Sequence, residues 1–247
     1  MKTRIEDEKS HWNDRYHDDA PDLIYGLSFP PESGRTFWDA ILPLSGKTVL
    51  EIGCGTGRGV TELADHGATV WGIDISEQAV REAQRRIGHR PNIQMRVADA
   101  HRLPFADSEF DVIVGHGVLH HLDLRIVRDE LHRCLKPGGV AVFTEPLAYN
   151  PCLRLFRWLT PQRRTSSETP LKWGDIRVFE ERFIVWHREF FCLTLLGVPL
   201  GMLGAKRTSA ILMRGLYRAE IILRLNRLFR RYCWMTRIIM TRPALSH

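Results

Sequence analysis

The chain has 247 residues, 44% of them hydrophobic, with 35 lysines and arginines against 29 acids, for a formal net charge of +6. That length and apolar content suffice for one full core and exclude a disordered or low-complexity chain, so a single domain with an added cap is the economical expectation. Five cysteines, at positions 54, 134, 152, 192 and 233, form no C-x-x-C pair, which argues against a disulfide framework or a zinc site.

The N-terminal stretch Met1 to Lys9 is charged and holds no apolar run, so no signal peptide is expected and the cytosol is the default location. The first apolar strand is Val49-Leu-Glu-Ile52, and it runs directly into Gly53-Cys-Gly-Thr-Gly57. Glycine at every second position lets the backbone turn sharply and bring its N–H groups against a ligand. A dinucleotide fingerprint has the form G-x-G-x-x-G, whereas here the sixth position is Arg58 and the pattern is G-x-G-x-G. Alone, such a loop is also consistent with a plain structural turn.

A helical stretch, Arg58 to His66, follows, and then a second apolar run, Ala68 to Ile73, that ends in Asp74. An acid at the end of the second strand of a βαβ unit is placed to accept both hydroxyls of a ribose. Its alternative role is capping the next helix, for which Ser76 is the better N-cap, with Glu77 and Gln78 in the first turn. A third strand, Asn92 to Ala98, ends in Asp99-Ala100, and a fourth, Phe110 to Gly115, follows the turn Leu103 to Asp107. Apolar runs alternating with helices predict a parallel sheet covered on both faces, an α/β doubly wound, Rossmann-like fold with ligands at the carboxyl ends of the strands.

Four motifs in order identify a resemblance: Val49-Leu-Glu-Ile-Gly-Cys-Gly-Thr-Gly57, Gly72-Ile-Asp-Ile-Ser76, Val97-Ala-Asp-Ala-His-Arg-Leu-Pro-Phe105 and Leu135-Lys-Pro-Gly-Gly-Val-Ala-Val-Phe143. Over roughly residues 45 to 147 the chain resembles the class I S-adenosylmethionine-dependent methyltransferases, and within them the type-11 group that includes ubiquinone and menaquinone C-methyltransferases. The resemblance implies a seven-stranded sheet, parallel but for one antiparallel strand. It implies that Glu51, Gly53, Gly55 and Gly57 hold the methionine part of S-adenosyl-L-methionine and that Asp74 holds its ribose. Ile75 is then expected to pack on the adenine, Asp99 to accept from its exocyclic amine, Ala100 to lend a backbone N–H, and His116 to line the cofactor near its sulfonium. Residues 1–44 then form N-terminal lid helices, 45–147 the cofactor-binding core, and 148–247 a substrate cap with the closing strands of the sheet.

The cofactor brings its own leaving group, so the protein's main task is to hold an acceptor in line with the methyl group. A base is needed where the acceptor must lose a proton. His116, His120 and His121, on Gly115-His-Gly-Val-Leu-His-His-Leu-Asp123, are candidates in that order, the latter two serving equally well as buried structural residues. Glu145, at the end of strand five, is a further catalytic candidate, with a hydrogen bond to the loop before Pro146 as its structural alternative. No metal is expected at His120-His121, because adjacent residues on a helix diverge by about 100° and no third ligand converges in the sequence. In the lid, Tyr16 and Tyr25 are candidate acceptor contacts and Trp12 a packing residue. Beyond strand five, Tyr149-Asn-Pro151 and Thr160 to Leu171 resemble a bacterial branch of the type-11 group. There Arg164 and Glu168 are candidates for binding a polar acceptor, and an ordered surface loop accounts for them equally.

Charge divides the chain. Residues 1 to 149 hold 17 lysines and arginines against 23 acids, net −6, and residues 150 to 247 hold 18 against 6, net +12. A basic second half points to an anionic partner such as a membrane surface, or to nucleic acid, against the simpler reading of a solvated basic face. The uncharged run Phe190 to Ala205 is too short for a span of about 20 residues and is interrupted by Pro199 and three glycines. Its beginning, with Ile184 to Leu195, is expected to form strand six, and Tyr232 to Met240 the antiparallel strand seven. Between them the apolar and basic faces of Lys206 to Arg231 exchange sides near residue 219, which predicts two short amphipathic helices broken near Gly215 to Glu220. Such basic helices suit a membrane interface or the mouth of a lipophilic pocket, and also an ordinary cap. Three functions follow: a methyltransferase for a small lipophilic acceptor, acting in the cytoplasm or at the inner face of a membrane; an RNA or protein methyltransferase; and a non-catalytic binding module. The second is weakened by the absence of an N-P-P-Y-like tetrapeptide after strand four, where the chain reads His116-Gly-Val-Leu.

Overall fold

A computed structural model describes residues 4–15, 31–159, 168–190, 206–230 and 232–244. Seven strands form one sheet: β1 (Thr48–Ile52), β2 (Thr69–Asp74), β3 (Ile93–Val97), β4 (Phe110–His116), β5 (Leu135–Pro146), β6 (Ile184–Phe190) and β7 (Met235–Thr241), in the order β3-β2-β1-β4-β5-β7-β6. The pairs from β3 across to β5 are parallel, and β7 runs antiparallel to both β5 and β6. This is the Rossmann-like sheet with one antiparallel strand that the motifs imply.

Alternation along the central strands sends successive side chains to opposite layers. Leu50, Ile52, Ile113, Ala141 and Phe143 enter one buried cluster, with Val127 and Leu131 of α5 (Leu124–Cys134), with Ile176 of α7 (Trp173–Arg177) and with Phe179. Val49, Val112, Val114 and Val142 enter the other, with Phe37 and Ile41 of α2 (Pro31–Ile41) and Val60 and Leu63 of α3 (Arg58–Asp65). Both faces of the central strands are therefore covered, as a parallel sheet requires.

From β1 the chain builds outward through β2 and β3, then returns to place β4 against the other side of β1. The helices that follow β1 and β4 pack on opposite faces of the sheet, opening the crevice in which ligands of such sheets sit. Helix α1 (Arg4–Arg15) joins this edge through Lys9 Nζ, 2.6 Å from Glu77 Oε1, and through Ser76 Oγ–H, which donates to Asn13 Oδ1 at 2.8 Å. Ser76 also caps α4 (Glu77–Ile87) by accepting from Ala79 N–H.

The C-terminal half meets the sequence reading at the start of strand six, Ile184, and departs from it in two places. Strand six is described to Phe190, and residues 191–205, with most of the uncharged run, lie outside the described residues. Strand seven begins at Met235 and ends at Thr241, displaced from the expected bounds. The break expected near Gly215 is absent: α8 (Lys206–Leu225) is continuous for 20 residues, and the interruption falls at Asn226, before α9 (Arg227–Arg230). An interior glycine costs a helix only about 1 kcal/mol, and a Cβ at Gly215 would meet nothing within 4 Å. The conflicting faces are met instead by exposure, with Ile211 60% and Ile222 69% accessible. Helix α6 (Pro151–Leu159) also shows apolar groups to solvent, Trp158 at 76% and Leu155 at 56%.

Candidate active site

At the crevice, Gly53, Gly55 and Gly57 have φ of 70°, 50° and 82°, a left-handed region that side chains rarely adopt. The loop is anchored below by Gly53 N–H and Cys54 N–H, which donate to Ile73 C=O at 2.9 and 3.0 Å. Asp74 holds it from the side. Its Oδ2 accepts from Gly55 N–H and its Oδ1 from Ser76 N–H, both at 2.9 Å. Two donors leave room on this carboxylate for further hydrogen bonds. Burial raises its pKa, and the same backbone donors oppose that rise.

Glu51, the last acid of β1, is 5% exposed. Its Oε2 is buried with no hydrogen-bond partner among the described residues. Burial, reinforced by the negative charges of Glu62 and Asp74, pushes its pKa up to about 8. It reaches this position because residue 59 is glycine: a Cβ there would stand 2.2 Å from Glu51 Oε1. A buried carboxyl without a partner, facing a cavity, is built for a cation.

That cavity has a volume of about 420 Å³ and is lined by Glu51, Gly53, Gly55, Asp74, Ile75, Asp99, Ala100 and His116. The structure thus brings eight of the residues singled out from the sequence into one wall. Gly57 stands at the N-cap of α3, outside that wall, and shapes the loop from behind. Its absent Cβ would fall 2.6 Å from Ile87 Cδ1. Tyr16, Tyr25 and Arg164 lie outside the described residues.

His116 ends β4 at the cavity wall, its side chain solvent-accessible and its ring 5.2 Å from that of Phe37. Desolvation by the surrounding walls, with repulsion from the Arg237 guanidinium, lowers its pKa to about 4 although Glu145 opposes the shift. The ring is therefore neutral at physiological pH. Arg237 is itself buried on β7, where it donates to Thr144 Oγ1 at 3.2 Å and Thr36 Oγ1 at 2.8 Å.

Two catalytic candidates point elsewhere. Glu145 is fully buried and absent from the cavity wall. Its Oε1 accepts from Val118 and Leu119 N–H, both at 2.9 Å, and its Oε2 meets His120 Nδ1 at 2.7 Å. These donors draw Glu145 to the loop after β4, not to the loop before Pro146, and away from the reacting end. His120 turns with it, so His121, ranked last in the sequence, is the one of the pair that lines the cavity.

The His120–His121 pair does converge with a third group, contrary to the expectation from the sequence. The 3-10 turn Leu119–His121 brings the two imidazoles to centroids 4.1 Å apart, tilted by 42°, and Glu168 converges on them, one potential ligand atom of each lying within 4.8 Å of the others. Glu168 is the converging third group that the sequence did not reveal. The group is nonetheless knitted by other pairs: Arg157 binds the Glu168 carboxylate, Glu145 meets His120 Nδ1, and Glu8 lies 3.2 Å from His121 Nδ1. The guanidinium already neutralises the acid that a cation would use. Glu168 is thus directed to this buried network and is not in the cavity wall.

Sequence reasoning missed several wall residues. Ile5, Glu8 and Trp12 of α1 close the cavity from above, and Thr144 and Met235 from the β5 and β7 side. Trp12, expected only to pack, does both: its Nε1–H donates to Glu8 Oε2 at 3.1 Å, and its ring stands edge-on to His121 at 5.4 Å. His101 was missed although it follows Asp99-Ala100 directly.

Comparison with known proteins gives the same direction. The family model described as Methyltransferase domain matches residues 50–143. An uncharacterized methyltransferase of Mycobacterium tuberculosis is 30% identical over 153 residues, covering 58% of this chain and 77% of the relative. A demethylmenaquinone methyltransferase of Clavibacter sepedonicus is 36% identical over 107 residues, covering 43% of this chain and 44% of the relative. The chain spans about half the length of several curated relatives it matches. Among solved structures, geranyl diphosphate C-methyltransferase from Streptomyces coelicolor, in complex with S-adenosyl-L-homocysteine, has a TM-score of 0.66 at 17% identity, covering 98% of this chain and 99% of the other. At that identity the likeness is one of fold.

Proposed function

The chain belongs to the class I S-adenosylmethionine-dependent methyltransferase family, in its type-11 group, and from that premise we propose that it moves a methyl group from S-adenosyl-L-methionine to a small lipophilic acceptor. The observation that carries the reading is the unpartnered carboxyl of Glu51, buried in the same cavity wall as Asp74 and Asp99. The residues fit the donor. Glu51 suits its ammonium group, the Gly53 to Gly57 loop suits close backbone contact, Asp74 suits its ribose, and Ile75, Asp99 and Ala100 suit its adenine.

When bound, the donor supplies an electrophilic methyl on a sulfonium that leaves as a neutral thioether. The protein's part is orientation and exclusion of water. Helix α1 covers the cavity with Ile5, Glu8 and Trp12, while Val118, Leu122 and Met235 give the wall apolar surface. His116 in its neutral form adds no repulsion to a cationic donor. With a conjugate acid of pKa about 4 it is a weak base. It therefore suits proton removal after methylation, when a protonated ether or a methylated ring is itself a strong acid, and hydrogen bonding to the acceptor before it. Whether the methyl goes to oxygen or carbon is set by the acceptor.

The basic second half and the exposed apolar groups of α6 and α8 support a second part of the proposal, that the enzyme works at an anionic membrane surface on its cytoplasmic side. Among the described residues no helix is long and apolar enough to cross a membrane. Two measurements test these readings. Isothermal titration with S-adenosyl-L-methionine should show binding to wild type and a loss of more than tenfold in Asp74→Ala, and equal affinities would overturn the site assignment. Co-sedimentation with vesicles containing anionic lipid should retain the protein at low salt. Absence of binding there, with a steep salt-dependent affinity for RNA, would favour a polymer acceptor instead.

A further inference from the structure

His101 lies inside the motif Val97 to Phe105, where the resemblance gives it no role, yet it touches Asp99, the acid proposed to read the adenine. Its backbone N–H donates to Asp99 Oδ1 at 2.9 Å, and its Nδ1 lies 2.7 Å from the same oxygen. On the other edge of the ring, Nε2 receives the backbone N–H of Asp123 at 2.9 Å. A backbone amide only donates, so Nε2 is the acceptor, and the neutral ring carries its proton on Nδ1, aimed at Asp99. Asp123 is fixed in turn, because its carboxylate accepts from Arg125 and Ile126 N–H as the N-cap of α5. The chain of bonds thus runs from a helix start, through one imidazole, to a carboxylate in the cavity wall.

The consequence lies in which oxygen is used. Both contacts from residue 101 fall on Oδ1, so Oδ2 of Asp99 is left for a ligand. An aspartate side chain 29% exposed would otherwise rotate about its last torsion, which is broad for this residue type.

We propose that His101 is a positioning residue that locks the Asp99 carboxylate for the exocyclic amine of adenine and so sets the enzyme's selectivity for an adenine-bearing donor. The proposal rests on the S-adenosyl-L-methionine reading of the cavity and adds the residue that makes Asp99 selective. It also joins the adenine end to the loop that carries His116 and His121, since Asp123 closes that loop.

The test separates positioning from general support. S-Adenosylhomocysteine and its analogue with unsubstituted purine in place of adenine are titrated into wild type, His101→Asn and His101→Gln. Asparagine keeps a donor near the Nδ1 position, while glutamine keeps an acceptor near Nε2 and loses the donor to Asp99. Wild type and His101→Asn should favour the amine-bearing compound by about tenfold or more, the range of a hydrogen bond to a charged group. In His101→Gln that preference should fall to within about twofold, with the affinity for the purine analogue unchanged. If both variants keep the wild-type preference, or weaken both compounds by the same factor, His101 is a structural staple and the proposal is overturned. If wild type itself binds neither compound, the donor reading fails, and that outcome is distinct.

Discussion

Glu51 offers the most demanding test because its burial has a cost that depends on pH. In the unfolded chain its carboxyl titrates near 4.5, and in the folded protein near 8. Below pH 4.5 both states hold the proton and the site costs nothing. As the pH rises toward 8 the unfolded state gives up its proton while the folded state keeps it, so stability is lost across this window. At about 1.4 kcal/mol per unit, the full loss approaches 5 kcal/mol, and about 3 kcal/mol of it falls between pH 5 and 7.5. For a chain of this size, 1 kcal/mol moves the melting temperature by roughly 2–4 °C. The perturbation is Glu51→Gln, which keeps the volume and removes the titration. Thermal unfolding followed by circular dichroism at pH 5 and 7.5 should show the variant gaining on wild type by roughly 6–12 °C between the two values. Parallel curves would mean that the carboxyl is hydrated or paired in solution, and the argument that it awaits a cation would fail. A second readout ties stability to function. At pH 7 the neutral acid has to ionise to meet an ammonium group, so titration of wild type with S-adenosylhomocysteine in buffers of different ionisation enthalpy should report release of close to one proton from the protein, absent in Glu51→Gln.

Three further outcomes follow from the same geometry. Gly59→Ala places a methyl 2.2 Å from Glu51 Oε1; calorimetric affinity for S-adenosylhomocysteine should drop more than tenfold while the circular dichroism spectrum remains that of a folded protein. Glu145→Gln leaves backbone donors of the loop after β4 facing an amide in place of a carboxylate, and the loss of a buried charge-assisted bond predicts destabilisation of about 2–4 kcal/mol; a melting temperature within about 2 °C of wild type would refute its role as the clamp of that loop. His116→Gln should keep donor affinity within about threefold and reduce turnover of a lipophilic acceptor found with labelled methyl donor. Because the wild-type ring stays neutral down to about pH 4, the rate profile of wild type should show no step from His116 between pH 5.5 and 8.

The cofactor half of the cavity is legible in the chain because its determinants are local. Strand, glycine loop, helix and acid recur within thirty or so residues, and a parallel sheet has to bring the strand ends together. That is why Asp74 could be placed at the strand ends from its position in the βαβ unit, with Glu51 and Asp99 added by the family resemblance. What could not be read depends on contacts between distant segments. Glu145 was a fair candidate at the end of β5, but its carboxylate is held by amide hydrogens 26 and 27 residues earlier. Glu168 meets His120 and His121 only because the segment after residue 167 returns to the loop after β4, where Thr169 N–H donates to His120 C=O at 3.3 Å. Helical periodicity misled at Gly215 for a related reason. A face analysis assumes that apolar groups are hidden, and Ile211 and Ile222 are not.

That exposure has a bearing on the acceptor. A helix that keeps 20 residues of hydrogen bonding while presenting Ile211, Ile222 and Arg218 to solvent trades apolar burial for a surface. The exchange of faces along α8, which two short helices would have hidden, means that apolar and basic groups occur together around the helix, and α6 adds Trp158 and Leu155 to the exposed apolar area. Headgroups and acyl chains are the partner that rewards both at once, whereas a nucleic acid rewards the charge and leaves the isoleucines in water. The donor end is thus carried by a compact motif, and the proposed membrane role by a surface that mixes apolar and basic groups.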